Sequence, residues 1–436
     1  MKIDLAKPKK VHFIGVGGIG TSALARMFLL QGKQVSGSDR DESEITKELA
    51  KEGVKISIGQ KAENIQKSIE LVIYTIAIPD DNPELVRARE LGIECVTYPQ
   101  ALGALSEEKY TIAVSGTHGK TTTTAMIAKI LIDGKKDPTV VVGSLMKGTN
   151  FIAGKSKYLV AEACEYKRSF LNLSPKILVI TNIDDDHLDY YKDIEDIKSA
   201  FRELALKVPK NGYVVCDLEQ PHIADVVKNL ESTIIDYELF EDQNLNLKIP
   251  GEHNIANAGA ALAVADILTI SRKQAEKSLE EFSGTWRRSE FKGALSNGAQ
   301  IYDDYAHHPT EIKATLKGFR EMLNGKNLTV VFQPHLYSRT KHHLTHFGEV
   351  FTDADTVILA PIYPAREPHD PSISSDMVAE RIRTHGVTAM SMPSFDAIEN
   401  HLRQSLNSSG DVLITMGAGD VYKIAENLLY YSNVKK

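Results

Sequence analysis

The sequence predicts an α/β protein of three domains, each built around a mostly parallel sheet. Short apolar runs that end in glycines or polar turns alternate with amphipathic helical stretches along the chain, which is typical of parallel sheets covered by helices. A length of 436 residues exceeds one ordinary core and indicates two to four domains. We place the domains at residues 1–105, 106–294 and 295–436.

The amino-acid composition and net charge limit the classes of function that the protein can have. Hydrophobic residues make up 42% and charged residues 25%, the balance of a globular protein in water. The net charge of −7 argues against a nucleic-acid partner, because binding a phosphate backbone needs a concentrated basic surface. Cys95, Cys164 and Cys216 lack metal or disulfide spacing. The N-terminal apolar run is too short for a signal peptide or a membrane span. We therefore expect a cytoplasmic protein with small-molecule partners and no membrane partner, and the sequence carries no signal for its oligomeric state.

The first domain begins with a strand, a glycine loop and a helix. Residues 11–14 form an apolar run, "GVGGIG" follows, and a helical stretch continues to Gly32. Glycines in this context let the backbone approach a diphosphate, which the helix N-terminus attracts. Asp39 ends the next strand, "QVSGSD", where a carboxylate commonly binds a ribose hydroxyl. By itself this loop predicts an NAD enzyme, with a tight turn as the structural alternative. The residues that we expect at the diphosphate nucleotide are Gly15, Gly17, Gly18, Ile19, Gly20, Ser38 and Asp39.

The second domain opens on another strand, glycine loop and helix, "TIAVSGTHGKTTTT". The common phosphate loop has a glycine six residues before its lysine, but Val114 stands six before Lys120 and the first glycine is Gly116. The lysine suits β- and γ-phosphates, and a neighbouring hydroxyl suits Mg²⁺. Threonines in a row are poor helix formers, so their hydroxyls are expected to face phosphate. The alternative is an N-cap run with a surface lysine. The expected ATP contacts are Gly116, Thr117, His118, Gly119, Lys120, Thr121 and Thr122.

Acidic residues and a histidine follow two further strands of this domain. Glu162 ends the run "YLVAE", and His187 follows "KILVITNIDDD". Because the carboxyl ends of parallel strands share one sheet edge, both side chains are expected near the phosphate loop as ligands of a divalent cation. The three aspartates before His187 have the alternative of a solvated turn.

Polar residues in the last part of the chain complete the candidate site. Asn254 and Asn257 lie three apart and so on one face of a helix, with an N-cap and a packing residue as the alternative. Arginines in loops suit phosphate or carboxylate. Pro309 disfavours helical geometry at the preceding residue. The candidates after strand runs or in loops of the third domain are Arg288, Asp304, His307, His308, His335 and Arg339.

These motifs together resemble the Mur ligase family. The resemblance rests on "GTHGKTTTT", "AEACE", "NIDDDHLDYY", "GEHNIANA", "WRR", "DDYAHHPTE" and "FQPHLYSRT", in family order over essentially the whole chain. It implies a Rossmann-like N-terminal domain for a UDP-sugar, a central P-loop-type ATPase domain with a mostly parallel sheet, and a Rossmann-like C-terminal domain that closes over the site. The short glycine spacing matches the family loop G-T-x-G-K-T. The two glycine loops then serve UDP and ATP respectively.

The resemblance also implies substrates and roles. ATP and Mg²⁺ would act with UDP-N-acetylmuramate and L-alanine in a ligation through an acyl phosphate. Lys120 would contact the β- and γ-phosphates, Thr121 and Glu162 would hold the first Mg²⁺, and His187 a second. Asn254, Asn257, Arg288 and Asp304 would serve the nucleotide. The catalytic set would be Lys120, Glu162, His187, Arg288 and His307, while His308, His335 and Arg339 would lie near the amino acid and phosphates.

The chain departs from the family pattern at two places. Where several relatives carry a carbamylated lysine for the second metal, the nearest counterpart is Phe201, so no carbamate is expected. Leu336 stands where many relatives have an arginine, which weakens the prediction of amino-acid specificity among alanine, glycine and serine. Three alternatives stay open: a ligase that recycles peptides onto UDP-muramate, a nicotinamide-dependent oxidoreductase and a non-catalytic UDP-sugar sensor.

Overall fold

A computed structural model describes residues 3–146, 148–187, 190–365 and 367–434, and it contains three sheets. Within those spans, no helix is both long and apolar enough to cross a membrane. The observed α/β architecture confirms the predicted fold class.

The first sheet has five parallel strands in the order β3-β2-β1-β4-β5. Its strands are β1 (Lys10–Ile14), β2 (Gln34–Asp39), β3 (Lys55–Ile58), β4 (Leu71–Tyr74) and β5 (Glu94–Thr97). Its helices are α1 (Ile19–Leu30), α2 (Glu44–Glu52), α3 (Pro83–Glu90) and α4 (Tyr98–Glu107), with a 3₁₀ turn at Ala62–Asn64. Strand order reverses between β1 and β4, so the loop after β1 lies where open parallel sheets bind ligands.

The second sheet has seven strands in the order β12-β11-β10-β6-β9-β7-β8, of which only β8 is antiparallel to its neighbour. Its strands are β6 (Tyr110–Ser115), β7 (Thr139–Met146), β8 (Thr149–Ile152), β9 (Tyr158–Glu162), β10 (Ile177–Ile180), β11 (Tyr213–Cys216) and β12 (Thr233–Asp236). The helices are α5 (Lys120–Asp133), α6 (Ile194–Ala205), α7 (Ile223–Val227), α8 (Glu252–Ile267) and α9 (Arg272–Glu280), with 3₁₀ segments at Tyr166–Asn172 and Tyr237–Phe240. Gly134 is the C-cap of α5.

The third sheet has six strands in the order β13-β14-β18-β15-β16-β17, parallel except for β13. Its strands are β13 (Glu290–Ala294), β14 (Gln300–Asp304), β15 (Asn327–Phe332), β16 (Thr356–Leu359), β17 (Thr388–Ser391) and β18 (Asp411–Met416). Its helices are α10 (Pro309–Leu323), α11 (Tyr337–His342), α12 (Leu344–Val350), α13 (Ser375–Arg383), α14 (Phe395–Ser405) and α15 (Tyr422–Val434).

The chain divides into two compact units. The first comprises Met1–Leu245 and Ala256–Glu280 and contains the first two sheets, while the second comprises Asn246–Ile255 and Glu281–Lys436 and contains the third. Strand β13 pairs with β14 and belongs to the third sheet, although the expected boundary at residue 294 falls at its end. We therefore propose that the third domain begins before Glu290.

Within the first unit, α1 is fixed to the β7–β8 hairpin by buried polar contacts. The Asn150 amide donates to the Ile19 carbonyl and, over 2.8 Å, to the Ser22 hydroxyl. The Arg26 guanidinium donates to the Asn150 amide oxygen over 2.6 Å. Apolar residues of the first two sheets and of α1 and α4 form one continuous core around these contacts. The helix that starts at the first glycine loop is thus held against the second domain.

Candidate active site

The phosphate loop connects β6 to α5 in the middle of the second sheet. The first helical bond of α5 runs from the Thr123 amide to the Gly119 carbonyl, so the preceding amides at residues 120–122 are the donors that a helix start leaves for an anion. The amides of Thr117 and His118 instead donate to the backbone and side-chain oxygens of Asn182. The loop is therefore anchored on the segment after β10 while its helical end remains directed to a ligand.

Two glycines of this loop have no space for a side chain. Gly116 has a φ of +135°, and an added Cβ would lie 2.0 Å from the Thr181 hydroxyl. Gly119 has a φ of +81°, and its Cβ would lie 2.5 Å from the Asn257 amide oxygen. Positive φ and close neighbours both require glycine here. The unusual glycine spacing noted in the sequence is thus explained by the close contacts of the loop with the β10 segment and with α8.

Lys120 is paired with a carboxylate that the sequence analysis did not select. Its ammonium donates to the carbonyls of Gly116 and Thr117 over 2.6 and 2.8 Å and to Glu165 Oε1 over 2.9 Å. Burial would lower the pKa of Lys120, but the charges of Glu165 and Glu162 raise it above its ordinary value. Lys120 is therefore a fixed cation at the phosphate loop. Glu165 lies in the same motif as Glu162, "AEACE", and this proximity was the sequence feature that could have identified it.

The four threonines of α5 divide into two pairs. Thr121 and Thr122 occupy the first turn at the loop, where the sequence placed them. The Thr123 hydroxyl donates to the Asn257 side chain over 3.0 Å, and the Thr124 hydroxyl to the Lys120 carbonyl over 2.7 Å. The expectation that the whole run faces phosphate is wrong for Thr123 and Thr124, because the helix turns their side chains into the core.

Glu162 ends β9 beside the loop, as expected. Its Oε2 accepts the Gly143 amide of β7 over 2.9 Å, and any Cβ at Gly143 would meet that carboxylate at 2.4 Å. Gly143 belongs to the hairpin that the sequence analysis did not predict. The register that pairs Val114 with Glu162 brings this carboxylate to the edge at which the phosphate loop begins.

His187 reaches the same group of charges. Its Nε2 lies 3.6 Å from Glu165 Oε1, and its ring lies 4.9 Å from that of Tyr166. Its φ of +57° is uncommon for a residue with a side chain and occurs at functional positions. The preceding aspartates are partly buried, and Asp184 Oδ2 lies 3.0 Å from His118 Nε2, so a fully solvated turn is not observed. Residues 188 and 189 of the motif "NIDDDHLDYY" lie outside the described residues.

A cavity of about 230 Å³ connects this site to the first glycine loop. Ile19 and Gly20 at the start of α1 line one part of it, and Glu162 and Cys164 line another. Tyr98, Leu102, Val141 and Phe170 are among its apolar lining residues. A ligand held at the start of α1 can therefore extend to Glu162.

The first glycine loop carries its own carboxylate. Asp39 Oδ2 accepts the Gly17 amide over 2.8 Å, and Oδ1 accepts the Arg40 amide. Ser38 is fully buried, and its hydroxyl donates to Glu84 over 2.5 Å while its carbonyl accepts the Gly15 and Val16 amides. Ser38 thus supports the loop from within rather than presenting its hydroxyl to a ligand, which corrects our expectation for it.

In the second unit, Asp304 organises the turn around the predicted arginine. Its carboxylate accepts the amides of Ser289 and Ala306 over 2.6 and 2.7 Å. Arg288 stacks on the Tyr305 ring, and its guanidinium lies 3.9 Å from Glu311. The adjacent Arg287 is buried instead, where it pairs with Asp303 at 2.8 Å. Of the two consecutive arginines, the structure leaves Arg288 as the more accessible.

The histidines of the second unit have distinguishable settings. His308 is the N-cap of α10, which begins at Pro309, and its Nδ1 accepts the Thr310 amide. The backbone of His308 is extended, as predicted for the residue before this proline. His307 Nδ1 lies 3.4 Å from Glu311 Oε2, and the His307 ring lies 5.7 Å from that of His335. Arg339 and His335 Nδ1 are 3.0 Å apart.

The asparagines lie in α8, where both are buried. Asn254 donates to the Pro250 carbonyl over 2.6 Å in the second unit. Asn257 accepts from Thr123 at the phosphate loop in the first unit. Because Asn257 lies beside Gly119 of the phosphate loop, its position supports the prediction that it serves the nucleotide.

The two departures from the family pattern fall on buried positions. Phe201 is fully buried in α6 and packs edge-on against Phe170, so its place in the core is incompatible with a metal ligand. Leu336 is also buried, with a φ of +67°.

Fold and site together define an enzyme that uses a nucleoside triphosphate, with a second glycine loop in the same unit. Three family descriptions match in order: "Mur ligase family, catalytic domain" over residues 10–110, "Mur ligase middle domain" over 114–244 and "Mur ligase, glutamate ligase domain" over 287–419. The chain therefore belongs to the Mur ligase family.

Individual relatives cover nearly the whole chain. UDP-N-acetylmuramate–L-alanine ligases from Clostridium kluyveri and Clostridium tetani are 43% and 44% identical to it, and the alignments cover 98% of this chain and 99% and 100% of theirs. The crystal structure of the UDP-N-acetylmuramate–alanine ligase from Thermotoga maritima is similar with a TM-score of 0.84 and 30% identity, over 98% of this chain and all of that one. The resemblance read from the motifs is confirmed.

Proposed function

We propose that this protein joins L-alanine to the carboxylate of UDP-N-acetylmuramate, with ATP converted to ADP and phosphate, in peptidoglycan precursor synthesis. The chain is an ATP-dependent ligase that forms an amide bond. The relatives that match over their full length carry this activity in their names. Both substrate nucleotides are cytoplasmic metabolites, so we propose that the reaction takes place in the cytoplasm.

The cavity between the first glycine loop and Glu162 is the observation that carries this proposal. A sugar nucleotide whose diphosphate lies at the start of α1 can extend an attached carboxylate through the cavity toward the phosphate loop. Because α1 is fixed to the β7–β8 hairpin, the two nucleotide loops keep a defined separation. A nicotinamide enzyme would have no use for the paired Lys120 and Glu165.

The reaction follows from the charges at this edge of the sheet. A carboxylate is a poor electrophile, so transfer of the γ-phosphoryl group to its oxygen makes an acyl phosphate with a good leaving group. The neutral amine of alanine attacks the acyl carbon, loses a proton, and the tetrahedral intermediate expels phosphate to leave an amide. Lys120 and the amides at residues 120–122 stabilise negative charge on the transferred group.

The residues present suit Mg²⁺. The site has a hydroxyl at Thr121, a carboxylate at Glu162 and an imidazole at His187, which are hard or borderline ligands of the kind magnesium accepts beside phosphate oxygens. When bound, magnesium neutralises phosphate charge. We propose Thr121 and Glu162 for the first ion and His187 for the second.

The remaining predicted residues are given roles in this proposal as well. Arg288 and Asp304 serve ATP, and the cluster of His307, His335 and Arg339 serves the amino acid and phosphates. Asn254 and Asn257 serve the nucleotide, and His308 holds the start of α10 beside this cluster.

The test is phosphate release with UDP-N-acetylmuramate, ATP and Mg²⁺ against the twenty amino acids and a tripeptide. We expect release that requires both the sugar nucleotide and alanine, with glycine and serine as weaker substrates because one small side chain changes binding by only about 1–3 kcal/mol. Release with the tripeptide alone would identify a peptide-recycling ligase. Absence of release with every acceptor, together with binding of UDP-N-acetylmuramate, would identify a sensor.

A further inference from the structure

Glu165 is a buried carboxylate with one oxygen in use and one without a partner. Its side chain is only 3% exposed. Oε1 pairs with Lys120 at 2.9 Å and lies 3.6 Å from His187 Nε2. Among the described residues, Oε2 has no hydrogen-bond partner. Leaving a buried carboxylate oxygen unsatisfied costs about 1–3 kcal/mol or more, so such an atom in a native site indicates a missing ligand.

The backbone around Glu165 is held firmly in place. Its carbonyl accepts the Tyr191 hydroxyl over 2.5 Å and the Arg168 amide over 2.9 Å. The following residues Lys167 and Arg168 both have positive φ, +51° and +55°. A positive φ at two consecutive residues with side chains costs free energy, so it persists only where the surrounding structure holds the turn in place. The turn aims the carboxylate at Lys120 and His187 instead of at solvent.

Phosphate and Glu165 compete for the same cation. Lys120 has three acceptors in the described structure, two carbonyls and Glu165, and only the last carries a charge. A nucleotide whose β- and γ-phosphates approach Lys120 supplies charge that replaces the carboxylate. Glu165, already beside His187 and without access to bulk water, then needs another positive partner.

We propose that Glu165 is a ligand of the divalent cation at His187. Glu165 binds this cation when a phosphate of the nucleotide replaces the Glu165 carboxylate as the partner of Lys120. This inference rests on the proposed function, because it needs the triphosphate and its metal at this loop. It also accounts for the second cation without a carbamylated lysine: Phe201 lies in the core, and Glu165 supplies a carboxylate from a different segment.

Two binding measurements on full-length protein test the proposal. The first follows Mn²⁺ by electron paramagnetic resonance in the presence of ADP. The second follows ADP in EDTA by calorimetry, where no metal contributes. For Glu165→Gln we expect Mn²⁺ affinity to fall by at least ~10-fold, the scale for loss of a metal-site group. Metal-free ADP should bind more tightly, by roughly 3- to 10-fold, because the competing carboxylate charge is gone.

Two further variants keep the result specific. Glu165→Asp retains the charge on a shorter side chain and should recover part of the Mn²⁺ affinity. Glu195→Gln makes the same chemical change at an exposed residue of α6, paired with Lys198 at 3.0 Å, and should match the wild type in both measurements. Thermal unfolding of all variants checks that the first unit is intact.

The outcomes separate this inference from the proposed function. Mn²⁺ affinity of Glu165→Gln within twofold of wild type overturns the assignment while ligation by the wild type stands. Parallel loss of Mn²⁺ and of metal-free ADP binding also overturns it, since damage to the pocket then replaces loss of a ligand. Failure of the wild type to bind Mn²⁺ with ADP at all would contradict the proposed function itself.

Discussion

The two glycine loops share one backbone design and differ in their charges. Both follow a parallel strand and open a helix, at Ile19 in the first and Lys120 in the second. In the first loop, the Asp39 carboxylate accepts a hydrogen bond from the Gly17 amide. In the second, a lysine lies inside the loop and the carboxylate of Glu165 is directed at that lysine. We propose that the same anion-binding geometry is a holding site in the first loop and a reactive phosphate site in the second.

We infer from this comparison that a glycine motif is suited to bind a diphosphate, whereas the neighbouring residues determine which reaction takes place. A loop without a cation can bind a diphosphate through amides and the helix end alone. Phosphoryl transfer also needs positive charge where negative charge develops. Variants at matched positions of the two loops test whether this difference in charge separates their functions.

The largest expected effect is that of Lys120→Ala. Ligation should fall by at least ~10²-fold, the scale of one lost transition-state charge contact. Phosphate release measures it, and calorimetry should show that UDP-N-acetylmuramate still binds, because the first loop is unaltered. Lys129→Ala removes a lysine of the same helix that pairs with Asp133, and it serves as the control. Near-normal ligation by Lys120→Ala would erase the difference between the loops.

Next in size is the contrast between Gly119→Ala and Gly17→Ala. An alanine at 119 would lie 2.5 Å from the Asn257 amide oxygen at positive φ, whereas one at 17 would meet the movable end of Asp39 at 2.9 Å. We expect ADP affinity to fall at least ~10-fold in Gly119→Ala, with a loss of about 1–3 kcal/mol in unfolding free energy. Gly17→Ala should leave ADP affinity unchanged and weaken the sugar nucleotide alone. Equal ADP affinities in the two variants would argue against a rigid second loop.

A third pair divides the threonine run. Thr121→Val should lower ligation about 10-fold and raise the Mg²⁺ concentration needed, at nearly unchanged stability. Thr123→Val removes the hydrogen bond from Thr123 to the Asn257 oxygen and should cost about 1–3 kcal/mol of stability, with a smaller change in rate. Urea unfolding and Mg²⁺ titration of the rate measure both. The reverse assignment of effects would show that Thr123, not Thr121, serves the ligand.

The smallest effect on activity is expected for Glu84→Gln, beneath the first loop. Burial would raise the pKa of Glu84, but hydrogen bonds from His12, Ser38 and Asn64 outweigh it and lower the pKa. A lowered pKa in the folded state stabilises the protein above the unfolded value of about 4.3 and loses that contribution as pH falls through the folded value. Glu84→Gln should therefore cost about 1–3 kcal/mol at pH 7 and progressively less toward pH 3.

Urea unfolding at several pH values checks this, with ligation expected within a few-fold of wild type. A stability difference that does not change between pH 7 and pH 3 would show that hydrogen-bond geometry alone, without the charge of Glu84, supports the loop. The exposed Glu90, which pairs with Arg87 on the same helix, provides the matched control as Glu90→Gln.

Much of the fold was predictable because its signals are local. Apolar runs, glycines and helix stops placed β1, α1, β2, β6 and α5 close to their observed ranges. The β7–β8 hairpin was missed although it carries Gly143 and Asn150, because it interrupts the alternation of strand and helix on which the prediction rested. The boundary near 294 missed β13 for a related reason: its pairing with β14 is antiparallel.

The candidate site was predictable where a motif singled out a residue and unpredictable where it depended on a partner. Lys120, Glu162 and His187 followed from strand ends and residue type. Glu165 did not, because its role depends on a turn with two positive φ angles and on contacts with Lys120 and His187, 45 and 22 residues away. Ser38 was misassigned because the side to which a strand-end hydroxyl points is set by its neighbours.

By itself the sequence determined the fold class, the two glycine loops and the family to which the chain belongs, since these depend on periodicity, glycine spacing and the order of motifs. The tertiary structure decided which hydroxyls and carboxylates meet at each loop. The physical reason is strand register: pairing Val114 with Glu162 and Ser115 with Ile180 brings together segments that no local pattern connects. That register places Glu165 on Lys120, and the position of α8 brings Asn257 to Thr123.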